Sequence, residues 1–238
     1  MKTLILVTLL ATSCASTPSI VDDIVNSNIE ARGGRDRITS LNSIRATGTI
    51  TGPGGRVAHV VREVKKPGLF RLEFDFQGTT SVFAHDGTSG WQVAPLQGQF
   101  APLAMPAEAD AASGADQRDI EGTLVDWKKK GHVVSFVGHE VIDGKDTFKL
   151  KTDMRGGGTR YDYVDAASHQ IVRSDVTRIV QGHATILETK FSDFRATDGL
   201  MFPRAIEMHV KDRPEVLRVA IDNIELNPPL DDARFRMP

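Results

Sequence analysis

The chain's seven histidines, His59, His85, His132, His139, His169, His183 and His209, could bind a metal or move a proton, so they come first. None forms a pair at the helical spacing of a zinc site, and no cysteine stands near them. His132 and His139 are seven residues apart in one predicted strand, which sets them on opposite faces. The run Gly156, Gly157, Gly158 lacks the lysine and helix of a phosphate cradle and reads as a hairpin turn. No serine sits in a nucleophile elbow. Carboxylates are plentiful, but in the clearest strands they alternate with Arg and Lys, the pattern of a solvated face. The residues therefore point to no catalytic group, no metal and no cofactor, and the chain is expected not to be an enzyme.

The elements around these residues are β-strands. Lys65, Lys66, Pro67, Gly68 form a charged turn that cannot continue a helix. After it, Leu69 opens a strand in which Phe70, Leu72, Phe74 and Phe76 alternate with Arg71, Glu73 and Asp75. A second strand from Thr80 to His85, a hairpin at Asp86, Gly87 and a third strand carrying Trp91 and Val93 up to Pro95 complete a meander. Its apolar face, with Phe70, Leu72, Phe74, Trp91 and Val93, is the candidate ligand surface.

Ser19 and Asp22 resemble a capping box, and Ile20, Val21, Ile24, Val25 and Ile29 follow at helical spacing up to Gly33, Gly34. This helix would plug one end of a sheet or serve as a movable cover. A short helix near Asp36 to Leu41 leads into strands at 43–51 and 56–65. Gln99 to Gln117 is rich in Ala and Pro and cannot be a core strand. Ile120, Leu124, Val125 and Trp127 suggest a second amphipathic helix ending in Lys128, Lys129, Lys130, which would be a solvated cap or a membrane-surface patch. Short turns then separate strands down to Leu226, giving about eleven antiparallel strands in all. The expected fold is mainly β with a few helices, a curved sheet forming a half-open β-barrel.

Length, 40% apolar residues and 25% charged residues fit one large β domain with its own core. A net charge of −2, with Lys and Arg scattered, leaves no basic footprint for nucleic acid. Met1, Lys2, Thr3 and the apolar run Leu4 to Leu10 have the form of a secretory signal, too short to span a bilayer. Ala11, Thr12, Ser13, Cys14 resembles a lipobox, with Cys14 the lipidated first mature residue; ordinary cleavage after small residues would instead release a soluble periplasmic protein. A lone cysteine in an oxidising compartment favours the lipidated form. Ala15 and Ser16 lack the aspartate of inner-membrane retention, which places the expected anchor in the outer membrane, facing the periplasm.

Several stretches in order also resemble the LolA/LolB-like superfamily, and more closely proteins called outer membrane lipoprotein-sorting protein. They are Lys66 to Phe70; Asp86, Gly87 with Trp91 and Pro95; Asp119 to Gly122 through Lys130 to His132; Phe191 to Phe194 with Asp198 to Pro203; and Asn227 to Asp232 with Phe235. The resemblance implies a signal peptide at 1–13, a short linker at 14–18 and one lipid-binding domain at 19–238. It implies that the apolar face holds acyl chains of lipoproteins or other lipids under an α-helical lid, here Ile20, Ile24, Leu124 and Trp127. In the LolA carriers the basic residue before the strand proline is an arginine that latches the lid; here it is Lys66, which keeps the charge without the planar fork. Implied partners are such lipids, a membrane reached through lipidated Cys14, and a protein of the cell envelope. A sensor or interaction module of the same fold, responding to lipid, and an enzyme with an unrecognised site are the alternatives.

Overall fold

The computed structural model describes residues 19–107, 110, 114–180 and 183–238. The expected signal peptide at 1–13, the expected linker at 14–18 and the proposed lipidation site Cys14 lie outside the described residues. Ser19 starts helix α1 (Ile20–Ala31): its hydroxyl accepts from the Asp22 amide at 3.2 Å and donates to the Asp22 carboxylate at 2.9 Å. Ile24, Val25, Asn28 and Ile29 face inward. Ile20 does not share their place as expected; it is 51% exposed, because the first residue of the helix falls off the buried stripe. Gly33, at φ +116°, ends the helix against the turn before Leu200, where a Cβ would come within 2.3 Å of the Gly199 carbonyl. A second short helix, α2 (Arg35–Thr39), follows.

Six strands come next: β1 (Ser43–Thr51), β2 (Val57–Lys65), β3 (Leu69–Phe76), β4 (Thr79–Asp86), β5 (Gly90–Ala94) and β6 (Gln99–Ala104). A connection over residues 105–132 leads to seven more. These are β7 (Val133–Ile142), β8 (Lys145–Asp153), β9 (Thr159–Asp165), β10 (Ile171–Val180), β11 (His183–Thr197), β12 (Leu200–Val210) and β13 (Val216–Leu226). All thirteen belong to one curved, unclosed antiparallel sheet in the order β6-β5-β4-β3-β2-β1-β13-β12-β11-β10-β9-β8-β7. The half-open barrel expectation holds, with thirteen strands where about eleven were expected. The Pro-containing segment at Gln99–Ala104 is an edge strand, where a missing amide donor has no partner to disappoint. The connection must therefore cross from one sheet edge to the other.

Within it, the expected second amphipathic helix does not form. Residues 119–131 run through turns after a one-turn helix at Ala115–Arg118. Gly122, Asp126 and Gly131, at φ +86°, +51° and +74°, interrupt any right-handed run. Ile24 and Leu124 are buried, but in a shared core with Ile29, Val125, Ile44, Leu150, Val164, Leu200 and Ile224, and Trp127 packs against it. This core lies on what we call the inner face of the sheet, under α1 and the crossing connection.

Register assigns the other residues to faces. Inner Ile44 and Ala46 stand opposite Val64 and Arg62, and these opposite Phe70 and Leu72; Val60 stands opposite Phe74. Phe70, Leu72 and Phe74 are thus inner residues, and next on β4 come His85, Phe83 and Ser81. Trp91 and Val93 stand opposite Ala84 and Val82, which belong to the other face. Their expected place beside the three β3 residues is corrected: in a pleated sheet one residue of register decides the face, and the hairpin at Asp86, Gly87 sets it the other way.

The outer face of β2 to β5 is not simply solvated either. The chain after Asn227 lies across it, ending in a 3-10 turn (Asp232–Phe235). Leu69, Leu230 and Phe235 form a small core there. Lys65 Nζ donates to the Leu230 carbonyl at 2.7 Å and Arg71 to the Arg234 carbonyl at 2.8 Å. Glu63, only 1% exposed, accepts from Arg45 at 2.8 Å and Arg234 at 3.0 Å. Trp91 Nε1 donates to the Phe235 carbonyl at 2.7 Å. Trp91→Phe removes that donor together with part of a buried ring, so unfolding free energy should fall by about 2–3 kcal/mol. Faster amide exchange at 230–236, with β8 to β10 unaffected, is the accompanying readout; an unchanged exchange pattern would count against the strap.

Candidate functional site

On the inner face the β3 stripe lies outside the main core. Phe70 is 7% exposed, with the Arg62 guanidinium 5.7 Å above its ring centre. Leu72, Phe74 and Phe76 are half-buried, as is Phe83, which stands opposite Leu72 and meets Phe74 edge to face at 6.0 Å. On the strands across β1, the inner positions Ile206, Met208 and Val219 are half-buried too. The sheet thus offers a continuous aliphatic and aromatic wall that its own core leaves incompletely covered.

The crossing connection is bound to this wall by charge. Asp116 places one carboxylate oxygen 2.5 Å from Arg178 Nη2 and the other 3.2 Å from Arg160 Nη1. Arg62 Nη2 donates to the Gln117 carbonyl at 2.7 Å. Arg160 also donates to Asp162 at 2.8 Å and to Ser174 at 2.7 Å, and Ser174 donates to Asp162 at 2.5 Å. Burial pushes Arg62 down to about 10, with Asp116 pulling it back up. Arg160 is buried as well, but Asp162 and Asp116 more than offset that and raise its pKa. Gly114, at φ +84°, permits this approach, since a Cβ there would fall 2.4 Å from Arg178 Nη2.

These contacts also demonstrate the curl of the sheet. Arg62 on β2 and Arg178 on β10 are separated by β1, β13, β12 and β11. In a flat sheet five steps of about 4.8 Å would part them by roughly 24 Å. Adjacent residues of one segment reach both.

Lys66 stands at the near end of the connection. Its Nζ is 2.7 Å from Glu121 Oε1 and donates to the Thr39 carbonyl at 2.8 Å. Beside it a cleft of about 300 Å³ is lined by Lys66, Gly68, Arg118, Asp119, Ile120 and Glu121. Lys130 pairs with Asp119 at 2.6 Å, Lys128 with Asp22 at 2.7 Å, and Arg35 with Asp126. Lys129 pairs with Asp126 at 2.9 Å, so all three lysines at 128–130 are engaged in the fold. His85 lies 3.5 Å from Asp110, and burial, then the nearby Arg118, lowers its pKa. Among the described residues no three His, Cys, Asp or Glu side chains gather as a metal site, and no helix is long and apolar enough to cross a membrane.

The structure thus puts Phe70, Leu72 and Phe74 on the inner face, with Arg62 between Phe70 and the connection and Lys66 at the connection's near end, and leaves Trp91 and Val93 on the opposite face. Sequence reading missed Arg62, Arg160 and Arg178. A signal existed: Arg62 interrupts the inward series Val60, Val64, and a cation at an inward position is unusual enough to mark.

A long, unclosed antiparallel sheet whose inner face carries a helix and an edge-to-edge connection is a LolA/LolB-like half-barrel. Solved structures agree. A DUF1329 family protein from Desulfovibrio piger superposes with a TM-score of 0.62 at 15% identity, covering 91% of this chain and 97% of that one. A LolA superfamily protein from Nitrosomonas europaea gives 0.61 at 13%, covering 92% and 98%. A domain from Vibrio parahaemolyticus named for outer membrane lipoprotein sorting gives 0.59 at 12%, covering 90% and 94%. No protein-family model and no curated protein matches the chain.

Proposed function

We propose that this protein is an exported, non-enzymatic binder of acyl chains that takes part in outer-membrane lipoprotein sorting or lipid transfer. The observation that carries the reading is the half-buried wall of Leu72, Phe74, Phe76 and Phe83 on the inner face, outside the main core. Burying an acyl chain yields about 0.8 kcal/mol per methylene, before the cost of ordering it. Such burial is non-directional, so apolar walls suffice and no covalent chemistry is required.

In this reading the crossing connection is the movable cover and Lys66, through Glu121, is one of its fastenings. Ile24 and Leu124 then anchor that cover to the core. A lipidated Cys14 would tether the protein to the periplasmic side of the outer membrane. The full chain, purified from the cell envelope, should carry long-chain lipid detectable by mass spectrometry after extraction, and its intact mass should show an acylated Cys14. A lipid-free protein that also takes up no fluorescent fatty acid would overturn the binding proposal, and an unmodified mature chain would overturn the anchor.

A further inference from the structure

We propose that Arg62, Arg160 and Arg178 form a headgroup site for an anionic amphiphile, and that Asp116 occupies this site as an internal stand-in while the cover is closed. The inference rests on the acyl-binding reading and adds the chemistry of the ligand's polar end.

Three guanidiniums from three strands converge on two consecutive residues of the connection. Among the described residues Asp116 is the side-chain carboxylate that Arg178 and Arg160 share, and its side chain is only 5% exposed. Asp162 gives one oxygen to Arg160 and Ser174 and its buried second oxygen has no partner among the described residues, but a single carboxylate cannot balance three guanidiniums. Lifting the connection would therefore leave three cations on the inner face with one fixed carboxylate. A phosphate or carboxylate restores the balance, and planar guanidiniums suit either in forked geometry.

The placement argues for an amphiphile over a free anion. Arg62 stands directly opposite Leu72 on β3 and lies over the Phe70 ring. The cationic cluster thus borders the apolar wall, and a single molecule can place its head among the arginines and its tail along Leu72 and Phe74. On the same face Arg204 donates to Thr197 at 2.6 Å, while its buried Nε and Nη1 have no hydrogen-bond partner. Arg204 thus adds unused donors to this face, as Asp162 Oδ2 adds an unused acceptor.

The test compares dodecyl phosphate, dodecanol and inorganic phosphate on the full chain by calorimetry, for the natural protein, Asp116→Asn, and an Arg160→Gln, Arg178→Gln double variant. Dodecyl phosphate should bind the natural protein about tenfold more tightly than dodecanol, as charge-assisted hydrogen bonds add to a shared tail. Asp116→Asn removes the competing charge with little change of shape, and should strengthen dodecyl phosphate binding about tenfold more than it changes dodecanol binding. The arginine double variant, checked for folding by circular dichroism, should bind the two amphiphiles equally.

Equal binding of the two amphiphiles by the natural protein and by Asp116→Asn overturns the headgroup site and leaves the acyl-binding reading standing. Binding of neither amphiphile overturns both. Inorganic phosphate binding as tightly as dodecyl phosphate overturns the assignment to an amphiphile. An unfolded double variant leaves the Asp116→Asn comparison to decide.

Discussion

Phe235→Ala is expected to lower the free energy of unfolding by about 3–5 kcal/mol, the range for truncating a fully buried aromatic ring. Phe235 is 0% exposed although it lies beyond the last described strand, in a short 3-10 turn. The segment is fixed by apolar packing against Leu69 and Leu230 and by the Trp91 hydrogen bond to the Phe235 carbonyl. Truncation leaves a cavity under the strap and loosens the ceiling over Glu63, whose carboxylate depends on Arg234 for one of its partners. Urea unfolding is the measurement. Met237→Ala, at a residue 50% exposed, is the matched control and should stay within about 0.5 kcal/mol of the natural protein. A loss below about 1 kcal/mol for Phe235→Ala would mean that the strap is not part of the cooperative unit.

Leu72→Ser combined with Phe74→Ser is expected to weaken binding of a fluorescent long-chain fatty acid about 100-fold. Each substitution removes roughly 1.5 kcal/mol of apolar contact, at the lower end of the range because both side chains are already half-buried without ligand. The same half-burial limits the loss of stability, which should stay below that of Phe235→Ala. Val93→Ser tests the face assignment. Val93 lies on the outer side of the sheet, so this variant should bind the fatty acid as the natural protein does. Weakening by Val93→Ser equal to that of the double variant would contradict the register argument.

Much of this fold is legible in the sequence because local rules decide it. The Ser19 cap, the period-two alternation in β3 and the hairpin glycines each depend on residues within one turn or one strand. Trp91 went to the wrong face because its apolar character fits either side, and only the pairing with Ala84 tells which. The strand at Gln99–Ala104 was hidden by Pro102, whose exclusion holds for interior strands and not for an edge. Residues 120–127 have helical spacing of apolar side chains, but the left-handed Gly122 and Asp126 outweigh it. The arginine cluster is the hardest part to read. Its members at 62, 160 and 178 meet at residues 116 and 117 only because the sheet curls, and nothing local encodes that distance.

The strand order has a consequence for how the molecule is made. β1, near the centre of the sheet, pairs with β2 on one side and with β13, the last of the described strands, on the other. The meander from β1 to β6 can assemble from neighbours in sequence, but the seam at β1 and β13 must wait until β13 has been made. Contacts so distant in sequence slow folding. Under the export proposed above, a central seam that closes only once β13 is available keeps the chain loose at the stage when passage through a narrow translocation channel would require it.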